Sequence, residues 1–416
     1  MSSRRAAQWS WALSACANHG FITTVAVGFF PIFFDKYLAS GLAGTEQTFY
    51  LGLANSTSTF IVMLLAPWLG ALADRRAQKK RWLGTWTVIG ALGSAVLATV
   101  VQGDWVWALV IYSVCSVSFW AGSSFQDALI VQVADETEVN RVSSLGFALG
   151  YIGGGTLFLF NVTMALHPQW FHLTDSTQAT RVAFLDVAAW WLLFTLPLFR
   201  AVPEGPPVAE PTGLRELWAT LRKVMADREV RNFLLAYWLY IDALNTVQLM
   251  AVDFGSKLGF PSDSLIKALL IVQFIAFPFA LLFGWLGDKF GTKRSIYIGL
   301  AVFVGVTFYA YFMQTVLQFY ILAAVFGSVQ GGVQALSRSY FARLIPRDRA
   351  GEYFGFYNML GKFAAVLGPL AMGGVAILTG NQRLSILVLE FFFVGGALLL
   401  ARTRGPEADP TAVRGG

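Results

Sequence analysis

The chain of 416 residues carries little charge: Asp, Glu, Lys and Arg together make up 13% of it. That is about half the roughly 25% usual in soluble proteins. Charge so sparse cannot cover a water-exposed surface, so a soluble enzyme is excluded. Reactive side chains are scarcer still, with 3 histidines and 2 cysteines. His19, His167 and His172 make no cluster with acids or thiols, and Cys16 and Cys115 make no CxxC or other ligand spacing. A metal site, a disulfide framework and the paired groups of a membrane-bound hydrolase or transferase are therefore not expected. The Walker A pattern Gly-x-x-x-x-Gly-Lys-[Ser/Thr] does not occur, which argues against ATP hydrolysis within this chain. No motif calls for a cofactor. Gly153-Gly154-Gly155 and Gly373-Gly374 lie in apolar runs with no strand before them, so they read as close helix contacts, not phosphate loops.

What the chain has is apolar length. Apolar residues are 56% and aromatic residues 15% of the sequence, a composition that excludes disorder. A membrane-spanning helix takes about 20 mainly apolar residues. Twelve such runs are present, near 9–34, 47–73, 82–101, 104–130, 141–165, 181–200, 230–252, 263–287, 293–312, 315–341, 351–378 and 383–402. Arg4 and Arg5 precede the first run as in a signal peptide, but the run from Trp9 to Phe34 is too long for a cleavable segment and reads as a retained span. The expected fold class is all-α: a polytopic membrane protein of twelve transmembrane helices.

Between the sixth and seventh runs the composition changes. Pro203, Pro206, Pro207 and Pro211 mark a linker. After it, Leu214, Leu217, Leu221 and Val224/Met225 recur at helical spacing, which predicts an amphipathic surface helix. The expected organisation is an N-terminal six-helix bundle at 1–200, a linker with its helix at 201–228, and a C-terminal six-helix bundle with a short tail at 229–416. With the N-terminus inside, 24 of the 30 Lys and Arg fall in inside segments, 5 (Lys36, Arg181, Lys257, Lys267 and Arg383) fall outside, and Lys362 lies within a span. The positive-inside rule then predicts both termini and the 201–228 linker on the cytoplasmic side of a cell membrane. The net charge of +6 belongs with the lipid surface and not with nucleic acid.

The halves repeat one signature. Gly70-Ala-Leu-Ala-Asp74-Arg75-Arg76 follows the second run, and Gly284-Trp-Leu-Gly-Asp288-Lys289-Phe-Gly291 follows the eighth, each trailed by basic residues. Gly146-Phe147 in the fifth run is echoed by Gly355-Phe356 in the eleventh. Parallel six-helix halves are a known transporter architecture. On this duplicated loop the chain resembles the major facilitator superfamily. Gly28-Phe29-Phe30-Pro31, Ala54-Asn55-Ser56, the stretch Leu145 to Tyr151, Gln334 to Arg338, and Gly355-Phe356-Tyr357 with Gly361-Lys362-Phe363 resemble its vacuole-effluxer-like branch. That branch includes a fungal vacuolar amino-acid exporter and bacterial relatives. The resemblance implies two pseudo-symmetric bundles, with spans one, four, five, seven, eight, ten and eleven lining a cavity and three, six, nine and twelve outside. It also implies that Asp74 and Asp288 meet a helix N-terminus of the other half, where a carboxylate is favoured. Two departures stand out: Arg76-Ala77-Gln78 has no loop glycine, and Ala15-Cys16-Ala17-Asn18 lacks the acid that relatives carry in the first span.

Ionisable residues inside spans are costly and mark function by default. Here they are Asp242, Lys362 and Glu390, with Asp186 and Asp127 near span ends. Helical spacing puts Trp238, Asp242, Asn245 and Gln248 on one face, and Asn358 and Lys362 on another. It likewise aligns Gln330 with Gln334, Trp120 with Ser123 and Asp127, and Trp11 with Ser14 and Asn18. The candidate substrate and coupling residues are Asp242, Lys362, Asn18, Asn245, Trp238, Trp120, Gln330, Gln334, Asn358 and Tyr151. The candidate gate residues are Gly70, Asp74, Arg75, Gly284, Asp288, Lys289, Asp127 and Arg338. Asp242 and Lys362 are expected to face one cavity from opposite halves as a buried pair. One anion and one cation suit a zwitterion such as an amino acid, coupled to H+ because no oxygen cluster for sodium is evident. The expected function is a monomeric secondary transporter of a small organic solute. A multidrug or sugar facilitator, or a sensor that no longer transports, are the alternatives.

Overall fold

Side-chain caps and prolines set the helix ends in the computed structural model. It describes residues 3–208 and 214–404, without the side chains of residues 214–217, 253, 257, 262, 363–366 and 382. Pro211, Arg414 and the side chains of Leu214, Leu217, Lys257 and Ala365 lie outside the described residues. Twelve long helices follow in order: α1 (Ser3–Leu38), α2 (Gly44–Arg76), α3 (Lys79–Leu97), α4 (Trp105–Val133), α5 (Val139–Leu166) and α6 (Ser176–Ala201). Then come α7 (Arg228–Lys257), α8 (Ser262–Phe290), α9 (Thr292–Phe312), α10 (Val316–Leu344), α11 (Ala350–Thr379) and α12 (Gln382–Ala401). Ten are long and apolar enough to cross a membrane. The other two are α3, which opens on Lys79-Lys80-Arg81, and α7, which carries Asp242, Asn245 and Gln248. There is no strand among the described residues.

Local chemistry explains the boundaries. Asp175 caps α6 by accepting from the Gln178 amide at 2.8 Å, so α6 starts at Ser176, before its apolar run. Asp227 does the same for α7, accepting from the amides of Glu229 and Val230 at 2.9 and 3.1 Å. In α1 the turns Phe21–Phe29 and Phe34–Leu38 are π-helical and flank Pro31. A proline ring crowds the carbonyl one turn back and has no N–H to give, and a wider turn relieves both.

The packing repeats with an offset of six helices. In the first set α1 packs on α5 and α6, α2 on α4, and α3 on α4 and α6; in the second α7 packs on α11 and α12, α8 on α10, and α9 on α10 and α12. The sets meet at α2 on α11 and at α5 on α8, with α4 on α11 and α5 on α10 beside them. Glycine makes the first pair of seams possible. A Cβ at Gly70 would lie 2.1 Å from the Gly351 carbonyl oxygen, and one at Gly284 would lie 2.8 Å from the Ser144 Cβ. This is the two-bundle arrangement of the major facilitator fold.

The linker helix (Leu214–Ala226) buries Thr220 and Val224 and leaves Trp218 and Met225 exposed. Of the expected apolar pair, Val224 faces the protein and Met225 does not. Before this helix, the chain is tied to α2 and α3: Val208 N–H donates to the Asp74 carbonyl at 3.2 Å, and Lys80 Nζ donates to the Val202 carbonyl at 2.7 Å. In the linker, burial pushes the Glu204 carboxyl above its usual range.

Candidate functional site

A cavity of about 1440 Å³ opens between the two sets. Its mouth is bordered by Lys36 and Ser176, on the side opposite the termini, and its floor by Asp127, Arg338 and Asn358. Of the expected substrate residues, Asn18, Trp120, Tyr151, Asn245, Gln330, Gln334, Asn358 and Lys362 line it. Two expectations about its walls are corrected. Helices α9 and α12 contribute Val306, Thr307, Ile386 and Leu389 to a side lobe, and the first turn of α6 borders the mouth. They are not wholly outside.

The second correction concerns α7. Trp238 and Asp242 do not line the cavity, whereas Tyr237, Ile241, Asn245 and Gln248 do. The cavity-facing stripe shares Asn245 and Gln248 with the polar stripe and is centred about 50° round the helix from it. Asp242, 1% exposed, lies against α11, where its Oδ1 accepts from the Gly368 amide at 3.1 Å. Among the described residues, its Oδ2 and the buried Thr246 hydroxyl one turn on have no partner outside each other. Lys362 instead sets its Nζ against the Trp120 ring. No ion pair joins Asp242 and Lys362 among the described residues, and both belong to the second helix set. They do not face each other from opposite halves.

The floor is a bolt between the sets. Arg338 of α10 donates from Nη1 to Asp127 Oδ1 at 2.9 Å, from Nε to Ser143 Oγ at 2.9 Å and from Nη2 to the Ser143 carbonyl at 2.8 Å. Its guanidinium lies 4.7 Å from the Trp11 ring centroid and 4.5 Å from that of Phe147, a cation–π arrangement. Asn358 Nδ2 donates to the other Asp127 oxygen at 3.2 Å. Below, Arg347 donates to the carbonyls of Val131 and Ala134, and Arg343 to that of Glu136. Among the described residues, the hydrogen bond between the sets that lies nearest the mouth is Gln273 Nε2 to Thr23 Oγ1, at 2.9 Å. The structure is closed on the termini side and open opposite.

The two motif loops sit beneath this floor and differ. Asp74 is 2% exposed and accepts from the amides of Gly351 and Glu352 at 3.1 and 2.8 Å, in the first turn of α11. It also pairs with the buried Lys79 ammonium. Asp288 is exposed and accepts a side-chain bond from Asn140 Nδ2 at 3.1 Å. Arg75 is exposed too, and Lys289 rests 4.6 Å from the Trp285 ring centroid. Asn140, with bonds also to Thr292 and Ser339, is a hub that sequence reasoning missed. So are Ser143, the Arg338 partner, and Gln126, which bonds Asn18 at 2.5 Å. A polar residue near either end of an apolar run carries no mark of the helix it will meet.

A family model described as "Vacuole effluxer Atg22 like" matches residues 39–408. The MFS-type transporter YxiO of Bacillus subtilis is 38% identical over 411 residues, covering 97% of this chain and 96% of that protein. Autophagy-related protein 22 of Yarrowia lipolytica is 26% identical over 70% of this chain and 56% of its own length. Among solved structures, the human organic anion transporter MFSD10 superposes with a TM-score of 0.77 at 17% identity, covering 96% of this chain and all of that one. The proton:xylose symporter XylE superposes with a TM-score of 0.73 at 15% identity, over 96% of each chain. These two share its fold. With a cavity between two bundles and relatives along nearly its whole length, the chain belongs to the Atg22-like vacuole effluxer family of major facilitator transporters.

Proposed function

We propose that this transporter moves a small organic solute bearing a carboxylate, with amino acids and similar zwitterions the first candidates, by proton-coupled alternating access. The carrying observation is the cavity that ends on an inter-bundle bolt, Arg338 to Asp127, with Lys362 in its wall. In this reading 1–200 and 229–416 rock about the cavity, the linker 201–228 and both termini are cytoplasmic, and the membrane is the inner one. Asp74 and Asp288, with the motif residues around them, latch the cytoplasmic side. Asp242 carries the coupling proton: it is a carboxylate buried inside a span with no cation paired to it among the described residues, and binding a proton relieves the cost of its charge. Asn18, Asn245, Gln330 and Gln334 supply polar contacts to the solute, and Trp238 supports α7 from behind the wall. The test is uptake into proteoliposomes of the monomeric protein. Amino-acid accumulation driven by an imposed pH gradient, abolished by a protonophore, is expected. Accumulation indifferent to the protonophore overturns the coupling. A facilitator for sugars or drug-like solutes is the second reading, favoured by the cavity's size and its aromatic wall; it predicts equilibration without accumulation.

A further inference from the structure

The charges lining the cavity, taken one at a time, separate occupied groups from available ones. Among the described residues these are Lys36, Asp127, Arg338 and Lys362. Lys36 stands at the mouth. Asp127 is the one acid, and both its oxygens are taken, by Arg338 at 2.9 Å and Asn358 at 3.2 Å. Arg338 is spent as well, on Asp127, on two oxygens of Ser143, and on the faces of Trp11 and Phe147. Lys362 is different. It touches the Trp120 ring, and it has no hydrogen-bond or carboxylate partner among the described residues. Asp242, which would have offered an acid for a ligand amine, is turned away from the cavity onto Gly368.

We propose that the ligand is recognised as a carboxylate anion by Lys362, and that an α-amino group on it is not required. This rests on the reading above that the solute bears a carboxylate, and it narrows that class to apolar monocarboxylates. An aromatic face holds an ammonium that has no counter-ion. A carboxylate entering from the mouth offers Lys362 a charge-assisted hydrogen bond instead, and it supplies an unengaged anion, since Asp127 is held by Arg338 and Asn358. Trp120, Phe119 and Ile241 then receive the apolar body. A ligand ammonium meets amide and hydroxyl oxygens and aromatic faces but no free carboxylate among the described residues, since the one lining acid is held by the bolt.

The experiment compares triads on the detergent-purified full chain by thermal shift and calorimetry. The probes are phenylalanine, 3-phenylpropanoate and phenethylamine, and leucine, 4-methylpentanoate and isopentylamine. The expected result is that, in at least one triad, the deaminated acid binds within about threefold of the amino acid while the amine gives no shift. Lys362→Gln should weaken the acid at least tenfold, and Lys362→Arg should restore part of the loss. If an amino acid binds and its deaminated acid does not, or if Lys362→Gln leaves the acid's affinity unchanged, the inference is wrong while the carboxylate reading survives. If neither acid nor amino acid binds in either triad and an amine does, both fall. The wild-type comparison needs no variant, so a Lys362 substitution that fails to fold leaves the test intact.

Discussion

Asp74 and Lys79 form a buried pair beneath the cavity floor. Both are almost fully buried, and the carboxylate also takes two amides from the start of α11, where a negative charge is favoured. Removing one partner of a buried pair costs about 3–5 kcal/mol, and removing both costs much less. Asp74→Asn should therefore lower thermal stability strongly, and Asp74→Asn with Lys79→Met should recover most of the loss. Asp288→Asn should change thermal stability little, whatever it does to transport, because Asp288 is exposed. Equal losses in the two single variants would show that burial does not set the difference. The loops differ in backbone as well. Ala77 has φ +49° where its repeat mate Gly291 has φ +93°, and the left-handed region costs an L-residue roughly 1–2 kcal/mol. Ala77→Gly should raise the unfolding temperature, by the equivalent of up to about 1 kcal/mol after the entropy cost of glycine; a fall would mean the strain is relieved elsewhere.

At the scale of the element, α7 and the α2–α11 seam give the sharper tests. The cavity stripe of α7 runs Tyr237, Ile241, Asn245, Gln248. In a background lacking Cys16 and Cys115, Ile241→Cys and Asn245→Cys should react with a hydrophilic thiol reagent added on the mouth side. Trp238→Cys and Asp242→Cys should not. Reversed reactivity would restore the rotation that the polar residues alone imply. That rotation shows where the sequence was legible and where it was not. Helical spacing placed Asn245 and Gln248 on a common face, but the arc of four polar residues is wider than the cavity, and α11 covers one edge of it. At the seam, a Cβ on Gly355 would lie 2.6 Å from the Pro67 Cα. Gly355→Val should keep α2 and α11 apart and bias the protein toward opening on the termini side. The readout is greater reactivity of a cysteine at position 358 from that side. Unchanged reactivity would mean the helices yield without separating.

For the whole molecule, the prediction is the orientation. A cysteine at position 208 should be labelled only after the cells are permeabilised, and one at position 40 in intact cells, in keeping with the bias of 24 basic residues against 5. Labelling of 208 from outside would invert the assignment and turn the closed end outward. The bias is legible in the sequence because it needs only the composition of each segment.

Apolar run length, the duplicated Gly-x-x-x-Asp loop and the proline linker determined the number of helices, their division into two sets and the family. These are one-dimensional signals: how far a chain stays apolar before it meets charge, and whether a pattern recurs. Gly70 and Gly284 could be singled out too, because a repeated glycine marks a place where backbones approach. Partner choice was decided only in three dimensions. Asp242 looks equally available to Lys362, to a ligand or to a backbone amide until α11 is laid beside α7, with Pro369 following Gly368 in the same turn. Arg338 gives no sign in sequence that it will take Asp127 and Ser143 from the other set. Those contacts depend on how two six-helix bundles meet at one end and part at the other, and a side chain's neighbours across that boundary lie hundreds of residues away in the chain.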